Sequence, residues 1–324
     1  MARRILLLGA TGTIGQATAR ALLARGHEVV CFLRPPADAQ AVARGLPGAT
    51  LRFGDVTSAT SWAQDALRGE RFDALVSCLA SRTGAPRDAW AIDHDAHVLA
   101  LEAARGAGVT QAVLLSAICV QKPLLAFQRA KLAFEQKLMD SGLAWSIVRP
   151  TAFFKSLSGQ IERVRRGKPF LVFGDGTLTA CKPVSDDDLA DFIAGCLDDP
   201  ARRNRILPIG GPGPAITPRE QGEHLFKLLG QAPKFKQVPV GLLDAVIAVL
   251  SLAGRVVPAL AAKAELARIG RYYATESMLV LDPATGRYDA DATPSTGRET
   301  LFDFYERLVK QGERAPDLGD HAVF

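Results

Sequence analysis

Several features that mark particular classes of protein are absent from this chain of 324 residues. No run of five or more basic residues occurs, and the net charge of +5 is spread along the chain, so nucleic-acid binding is not expected. The five cysteines form no CxxC pair, and their apolar neighbours predict reduced, buried thiols rather than disulfides. This pattern is typical of a cytoplasmic protein.

Long uninterrupted apolar segments are also lacking. The opening MARRILLLGA has a short apolar run that continues into glycine-rich sequence, which predicts a buried strand and not a targeting segment. Residues 240–262 are the most apolar part, but Asp244, Arg255 and Pro258 leave uncharged runs of about ten residues, short of the ~20 that span a bilayer. Three roles stay open for this region: a core or dimer-interface helix, a lid over an apolar substrate, or a helix resting on a membrane.

What is present is an alternation of short apolar runs with segments of helical periodicity. Such runs are typical of central parallel strands, and the alternation predicts an α/β fold with a doubly wound parallel sheet. The predicted strands are 3–8, 28–34, 72–79, 112–117 and 145–150, and the predicted helices are 16–26, 93–108 and 127–142.

A glycine-rich segment, 9-GATGTIG-15, follows the first predicted strand and opens the first predicted helix. Glycines at such a turn let the backbone approach a pyrophosphate, and the helix N-terminus supplies free N–H groups and a positive dipole. The GxxGxxG spacing is a variant found among short-chain dehydrogenase/reductase relatives. The residues predicted to contact a dinucleotide here are Gly9, Thr11, Gly12, Thr13, Ile14 and Gly15.

After Pro150 the pattern changes. Residues 170–184 predict a hairpin that turns at Gly174-Asp175-Gly176, and a helix at 186–197 and a strand at 206–211 follow. The predicted organisation is an NAD(P)-binding Rossmann core of residues 1–155 and 183–211, with a smaller C-terminal substrate-binding region of residues 156–182 and 212–324.

The end of the second predicted strand bears on cofactor preference. NAD-preferring enzymes usually carry an acid there for the ribose hydroxyls, but this chain has Arg34. A guanidinium matches a 2′-phosphate in charge and bidentate geometry, so NADPH is the predicted cofactor. An ordinary surface arginine is the alternative interpretation.

Tyrosine is missing where related enzymes use it. They usually place a tyrosine four residues before a catalytic lysine, and its hydroxyl exchanges the substrate's proton. Here Lys131 is preceded by Phe127, and all four tyrosines lie between residues 272 and 305. Alcohol–ketone interconversion is therefore disfavoured. Lys131 can still hold the nicotinamide ribose or donate a proton, and reduction of an activated C=C bond needs no phenol.

Long strings of the chain resemble the divinyl chlorophyllide a 8-vinyl-reductase family of atypical short-chain reductases. The resemblance extends over residues 3–324, and the family also has FQRAK at the lysine site, so Phe127 is not a degenerate copy. The strings are 115-LSAICVQKPLLAFQRAKLAFE-135, 148-VRPTAFFKSLSGQ-160, 173-FGDGTLTACKP-183, 207-LPIGGPG-213, 272-YYATESMLVLDPATGRYDADATPS-295 and 318-LGDHAVF-324.

This resemblance implies NADPH-dependent reduction of the 8-vinyl group of a magnesium-containing chlorophyll precursor to ethyl, in chlorophyll or bacteriochlorophyll biosynthesis. Hydride would reach the vinyl group, the macrocycle would spread the negative charge, and the adjacent carbon would take a proton from water or a protein acid. It also implies an adenine contact for Asp55. The protein would be cytoplasmic, or held peripherally at the photosynthetic membrane through residues 240–262.

Residues 151–155 follow the last predicted parallel strand, at the carboxyl ends where ligands bind. Phe153 and Phe154 are predicted to stack on the macrocycle, with core packing as an equal alternative. Lys155 or Lys182 is predicted to pair with the pigment's propionate. For Ser116, at the end of its strand, a catalytic role and a packing role are both open.

No protein-bound metal is predicted. His94 and His97 lie one helical turn apart, which suits a metal, but no third ligand is nearby. Two rival functions are an isoflavone-reductase-like or nucleotide-sugar-modifying enzyme, and a non-catalytic NADP(H)-binding sensor or assembly factor. The apolar region 240–262 favours a large apolar ligand over a sugar, and Lys131 favours an enzyme.

Overall fold

The computed structural model describes residues 2–36 and 38–311, apart from the side chains of residues 258, 259 and 311. The string 318–324, with His321, lies outside the described residues. The strands in chain order are β1 Arg4–Leu8, β2 Glu28–Leu33, β3 Thr50–Phe53, β4 Ala74–Ser77, β5 Gln111–Leu115, β6 Ala144–Pro150, β7 Phe170–Phe173, β8 Arg205–Ile209, β9 Phe235–Val238, β10 Val280–Leu281 and β11 Tyr288–Asp289.

Helices alternate with these strands. The α-helices are α1 Thr13–Ala24, α2 Ala39–Gly45, α3 Ala59–Ser61, α4 Pro86–Ala89, α5 His97–Gly106, α6 Ala126–Met139, α7 Phe154–Leu157, α8 Ile161–Arg165, α9 Asp186–Gly195, α10 Pro218–Leu228, α11 Val240–Ala253, α12 Pro258–Thr275 and α13 Leu301–Gln311. Two π-helical segments, Trp62–Leu67 and Trp90–Ala96, and two 3₁₀ turns, Ile118–Gln121 and Pro200–Arg202, complete the helical structure of the described residues.

A seven-stranded sheet in the order β3-β2-β1-β4-β5-β6-β8 confirms the predicted doubly wound α/β fold. The pairs from β3 to β6 are all parallel, and Leu6 of β1 lies between Val30 of β2 and Leu75 of β4. The strand order reverses between β1 and β4. Ligands of such sheets bind at the carboxyl ends of the strands beside this reversal, where the glycine-rich segment follows β1.

The core of this sheet is built from the apolar runs of the sequence. Leu6, Leu8, Phe32 and Trp62 are almost completely buried, and the Trp62 ring lies 4.9 Å from that of Phe32. Burying one such side chain contributes about 1.5–3 kcal/mol to folding, so the sheet provides a rigid base for the residues that follow its strands.

Two compact units divide the described chain. The first consists of the chain up to Ser81, Pro86–Pro150 and Asp186–Pro208, and the second of Arg82–Ala85, Thr151–Ser185 and the chain from Ile209 onward. In the first unit α9 packs against α1, and its Asp187 and Asp191 pair with Arg20 and Arg25 of that helix. The returning segment thus packs on α1, the first helix of the Rossmann core.

The prediction of a hairpin at residues 170–184 is wrong. Gly174 and Gly176 do turn the chain with φ values of +58° and +87°, but β7 pairs in parallel with the distant strand β9. Cys181 instead forms bridges with Ile216 and Met278. A short apolar strand needs a partner, and local sequence does not show whether that partner is near or far along the chain.

The structure also excludes a part of one of the three roles predicted for residues 240–262. It forms α11 and the start of α12, which pack together as a helical hairpin, and none of the α11 residues is buried. The core-helix alternative is therefore wrong for α11. None of the helices in the described part of the chain is both long and apolar enough to cross a membrane.

All five cysteines lie in the described part, and all are free thiols, as predicted. Four are buried, and burial raises the pKa of Cys31 and of Cys181 to about 12. These thiols are protonated at neutral pH, so they pack as small apolar groups.

Candidate functional site

The glycine-rich turn is shaped by contacts within the protein at two of its three glycines. Gly9 has φ +75°, and a Cβ there would lie 2.4 Å from the Cys78 carbonyl carbon. A Cβ on Gly15 would lie 2.1 Å from the Gly9 oxygen. Gly12 differs, because a Cβ there would meet only the Gly9 oxygen, at an ordinary 3.5 Å. The protein itself tolerates a side chain at Gly12, so the space beside it is available to a ligand.

The start of α1 offers hydrogen-bond donors at this turn. Gly12 is the N-cap residue and provides no side-chain cap, so the first N–H groups of the helix are left for a ligand or water. Thr11 and Thr13 are exposed, whereas Ile14 is buried against the fold. The turn therefore combines open space, free donors and a positive dipole, which fits a pyrophosphate.

Two further predicted residues follow neighbouring strands at the same edge. Arg34, directly after β2, is exposed and makes no hydrogen bond or ion pair with any residue that the structure describes. Asp55, two residues after β3, accepts hydrogen bonds from the backbone and hydroxyl of Thr57 at 2.8 and 2.7 Å. These bonds lower the pKa of the Asp55 carboxyl, so it is an anion with one oxygen free to accept from a ligand.

Lys131 is held by a carboxylate that sequence reasoning did not identify. Its Nζ lies 3.0 Å from Oδ1 of Asp93, and the Asp93 side chain is completely buried. The same oxygen accepts the N–H of Ser81 at 3.2 Å, while Oδ2 of Asp93 has no partner among the described residues. Lys131 is thus a positioned cation, with two of its three N–H groups left for other acceptors.

Asp93 lies in the π-helical segment that precedes α5. Such segments are frequent at functional sites because the extra residue changes which side chains face inward. One signal for Asp93 exists in the sequence: at helical spacing it shares a face with Ala96, Ala100 and Ala104, and an acid on an apolar face needs a buried partner.

His97 lies next to this pair and is neutral. Its Nδ1 donates to the Ile92 carbonyl at 2.8 Å, which leaves Nε2 to accept from the Ser77 hydroxyl at 2.8 Å. Burial, with the Lys131 charge second, lowers the pKa of His97 to about 4. His94 is instead turned to Asp95, so the two histidines share no ligand. No three His, Cys, Asp or Glu side chains form a metal site among the described residues.

Ser116 follows β5 and belongs to a buried network. Its hydroxyl donates to Glu135 of α6 at 2.5 Å, and Glu135 is also paired with Arg149 of β6. Ser116 and Glu135 are almost completely buried. The network joins β5, β6 and α6, so it orients the helix that carries Lys131.

The predicted substrate residues lie in the second unit. Phe154 is buried, with its ring 5.4 Å from that of Phe304, whereas Phe153 is half-buried. Lys182 Nζ donates to the Thr293 carbonyl at 3.0 Å. The ammonium group of Lys155 makes no hydrogen bond or ion pair within the described chain.

The fold and the turn after β1 define the class of this protein. Residues 9–200 match a family of NAD(P)H-binding proteins, so the ligand class of this protein is a nicotinamide cofactor. The structure is similar to an NADPH-dependent quinone oxidoreductase from Escherichia coli in complex with NADPH, with a TM-score of 0.65 over 94% of this chain and 99% of that one, at 20% identity. At that identity the likeness shows the fold alone.

Sequence relatives identify the particular family. The chain is 50% identical to divinyl chlorophyllide a 8-vinyl-reductase of Oryza sativa subsp. indica, a chloroplastic protein, over 99% of this chain and 82% of the relative. It is 27% identical to the photosystem II assembly factor Ycf39 of Trieres chinensis, over 75% of this chain and 74% of that protein. The chain belongs to the divinyl chlorophyllide a 8-vinyl-reductase family.

Proposed function

We propose that this protein reduces the 8-vinyl group of divinyl chlorophyllide a, or of a close magnesium-porphyrin precursor, to ethyl with NADPH. The observation that carries the proposal is the lysine site. Lys131 is held by the buried Asp93, and Phe127 stands where a tyrosine would serve alcohol–ketone chemistry. All four tyrosines belong to the second unit. The first unit therefore has a cofactor turn and a fixed cation but no phenol.

The residues of the first unit have separate tasks in this reaction. Bound NADPH would supply the hydride for one vinyl carbon, and the other carbon would take a proton to complete the ethyl group. Lys131 would hold the nicotinamide ribose through the N–H groups that its pair with Asp93 leaves free. Ser116 positions α6 through Glu135, since its hydroxyl already donates to that carboxylate.

NADPH over NADH is supported by Arg34. An exposed guanidinium without a partner among the described residues, at the end of β2, suits a 2′-phosphate. We expect Arg34→Ala to weaken NADPH binding by about tenfold or more, the range of a charge-assisted hydrogen bond, while NADH binding changes little. Fluorescence titration with both cofactors measures this, and an equal loss for both would contradict the assignment.

On the substrate side, Lys155 and Phe153 are better candidates for contacting the pigment than Lys182 and Phe154. The Lys155 ammonium is uncommitted among the described residues, whereas Lys182 already donates to Thr293. Phe154 is packed in the second unit, so stacking on the macrocycle falls to Phe153. Lys155→Ala should raise the KM for the pigment, and an unchanged affinity would remove Lys155 from the proposal.

The decisive experiment mixes the purified protein with NADPH and divinyl chlorophyllide a. The Soret absorption and the chromatographic retention of the pigment report conversion of vinyl to ethyl. A blue shift with an ethyl product, absent without NADPH, is the expected result. Lys131→Ala should then lower kcat while the fold, measured by circular dichroism, is retained.

A second function is suggested by the relative Ycf39, whose name describes an assembly factor. A non-catalytic NADP(H)-binding protein of this kind would bind NADPH tightly and turn over no divinyl pigment. The presence of Lys131 in its buried pair favours catalysis. A peripheral contact with the photosynthetic membrane, through residues 240–262, is part of the proposal for the reductase.

A further inference from the structure

The helix α11 is apolar and exposed at the same time. It contains one charged residue, Asp244, and none of its residues is buried. Apolar helices of globular proteins normally bury the apolar face, because about 25 cal/mol is gained for each Å² removed from water. A face left open in this way marks an interaction surface.

The exposed residues lie on one side of the hairpin. Leu242, Val246, Val249 and Leu252 follow one another at spacings of four and three residues, which places them on one helix face. Val256 and Val257, in the connection to α12, are exposed as well. Val249, Leu252 and Val256 are 67%, 66% and 84% exposed. We call these six residues the apolar face.

The charges of the hairpin fall into two groups. Asp244 pairs with Arg271, and Arg268 contacts Glu265 and Ser251, so these charges are used inside the hairpin. Arg255 and Lys263 are exposed and make no ion pair or hydrogen bond with the residues that the structure describes. Arg255 directly precedes Val256, and Lys263 follows Val257 by six residues, within the first two turns of α12. Two cations that have no partner among the described residues thus lie close in the chain to the end of the apolar face.

We propose that the apolar face docks on a bilayer with anionic headgroups, where its side chains enter the interfacial layer and Arg255 and Lys263 contact lipid phosphates. Apolar residues on one face with flanking cations are what an interfacial helix requires. A symmetric contact with a second copy through the same face would offer these cations no unpaired acid of α11, because Asp244 already pairs with Arg271. The inference rests on the proposed function only for the identity of the membrane.

Vesicle co-sedimentation tests this surface without pigment or cofactor, so it can fail independently of the reductase activity. Vesicles of equimolar phosphatidylglycerol and phosphatidylcholine should bind the protein, and vesicles of phosphatidylcholine alone should bind it less. Val249→Ser with Leu252→Ser should reduce binding about tenfold or more, since each removes an inserted apolar side chain. Arg255→Gln and Lys263→Gln should each reduce binding about fivefold.

Two sets of matched controls separate surface chemistry from general damage. Leu178→Ser removes an apolar side chain that is 51% exposed outside the hairpin, and it should bind vesicles like the wild type. Arg255→Lys with Lys263→Arg keeps both charges and should also bind normally. Circular dichroism confirms that each variant is folded.

Three results would overturn the proposal. The first is that the wild type fails to bind the anionic vesicles. The second is a dimer in light scattering that the Val249→Ser, Leu252→Ser variant dissociates, which would assign the face to a second copy. The third is unchanged vesicle binding in that variant with a raised KM for pigment, which would make the hairpin a lid.

Discussion

At the scale of single residues, the lysine site shows how one substitution changes the chemistry that is available. Phe127 removes a hydroxyl that could exchange a proton with an alcohol, yet Lys131 remains and is fixed by Asp93 at 3.0 Å. A charge pair this well buried requires both partners, because removing one leaves the other desolvated and unpaired. Lys131 and Asp93 therefore depend on each other to remain in this buried position.

Asp93 acts through Lys131, so we expect it to be a positioning residue. Asp93→Asn should lower kcat about 10²-fold, the usual effect of misplacing a group at a reacting centre, with little change in KM for the pigment. Asp93→Asn combined with Lys131→Ala should fall no further than Lys131→Ala alone. Steady-state kinetics of the four proteins measure this.

Asp95→Asn is the matched control for that variant, since Asp95 lies on the same π-helical segment but is exposed and bonded to His94. It should keep wild-type kinetics. If Asp93→Asn loses only stability and keeps kcat, the carboxylate is structural and does not position the lysine.

At the scale of elements, the turn between β1 and α1 separates what the fold requires from what a ligand requires. The fold requires Gly9 and Gly15, because a Cβ added at either position would lie less than 3 Å from backbone atoms. Gly12 is not, since its φ of −76° and its surroundings accept any small residue. Glycines that look equivalent in the sequence are therefore needed for different physical reasons.

A pair of alanine variants tests this difference. Gly12→Ala should fold with an unchanged unfolding temperature but bind NADPH about tenfold more weakly, because its methyl group occupies the space beside the pyrophosphate. Gly15→Ala should lose about 1–3 kcal/mol of stability or fail to fold, because its Cβ overlaps the Gly9 oxygen. Thermal unfolding and cofactor titration distinguish the two, and a Gly12→Ala protein with normal NADPH affinity would place the pyrophosphate elsewhere.

At the scale of the whole molecule, buried titratable groups make global stability depend on pH. His97 is fully buried and neutral, faces Ser77, Ile92 and Lys131, and has a pKa lowered from 6.5 to about 4. The unfolded chain takes up a proton at a higher pH than the folded one. Above about pH 6.5 His97 is neutral in both states and does not lower the free energy of unfolding. That free energy then declines as the pH falls towards 4.

Denaturant unfolding from neutral pH down to about pH 4 measures this loss. The wild type should lose up to roughly 3 kcal/mol over this range through His97. His97→Gln should be less stable at neutral pH but should show a flatter dependence on pH. His94→Gln should keep the wild-type slope, and an unchanged slope in His97→Gln would show that other groups cause it.

The fold could be predicted well from the sequence, and the reason lies in particular segments. Buried strands such as β1 and β2 contain continuous apolar runs, and helices such as α10 begin at local signals. At the start of α10, Thr217 and Glu220 form a capping box, a signal that the spacing of a threonine and a glutamate three residues apart carries in the sequence. These signals depend on neighbours within a few residues, so they can be detected without the tertiary structure.

The sequence by itself determined the parallel sheet, the glycine-rich turn, the missing phenol at Phe127 and the apolar character of residues 240–262, because composition and short spacings carry this information. Only the tertiary structure decided that β7 pairs with β9, that Asp93 holds Lys131, that Glu135 accepts a hydrogen bond from Ser116 and that α11 is exposed. Each of these facts depends on which distant segments meet in the folded chain, and periodicity along one segment does not specify its partner.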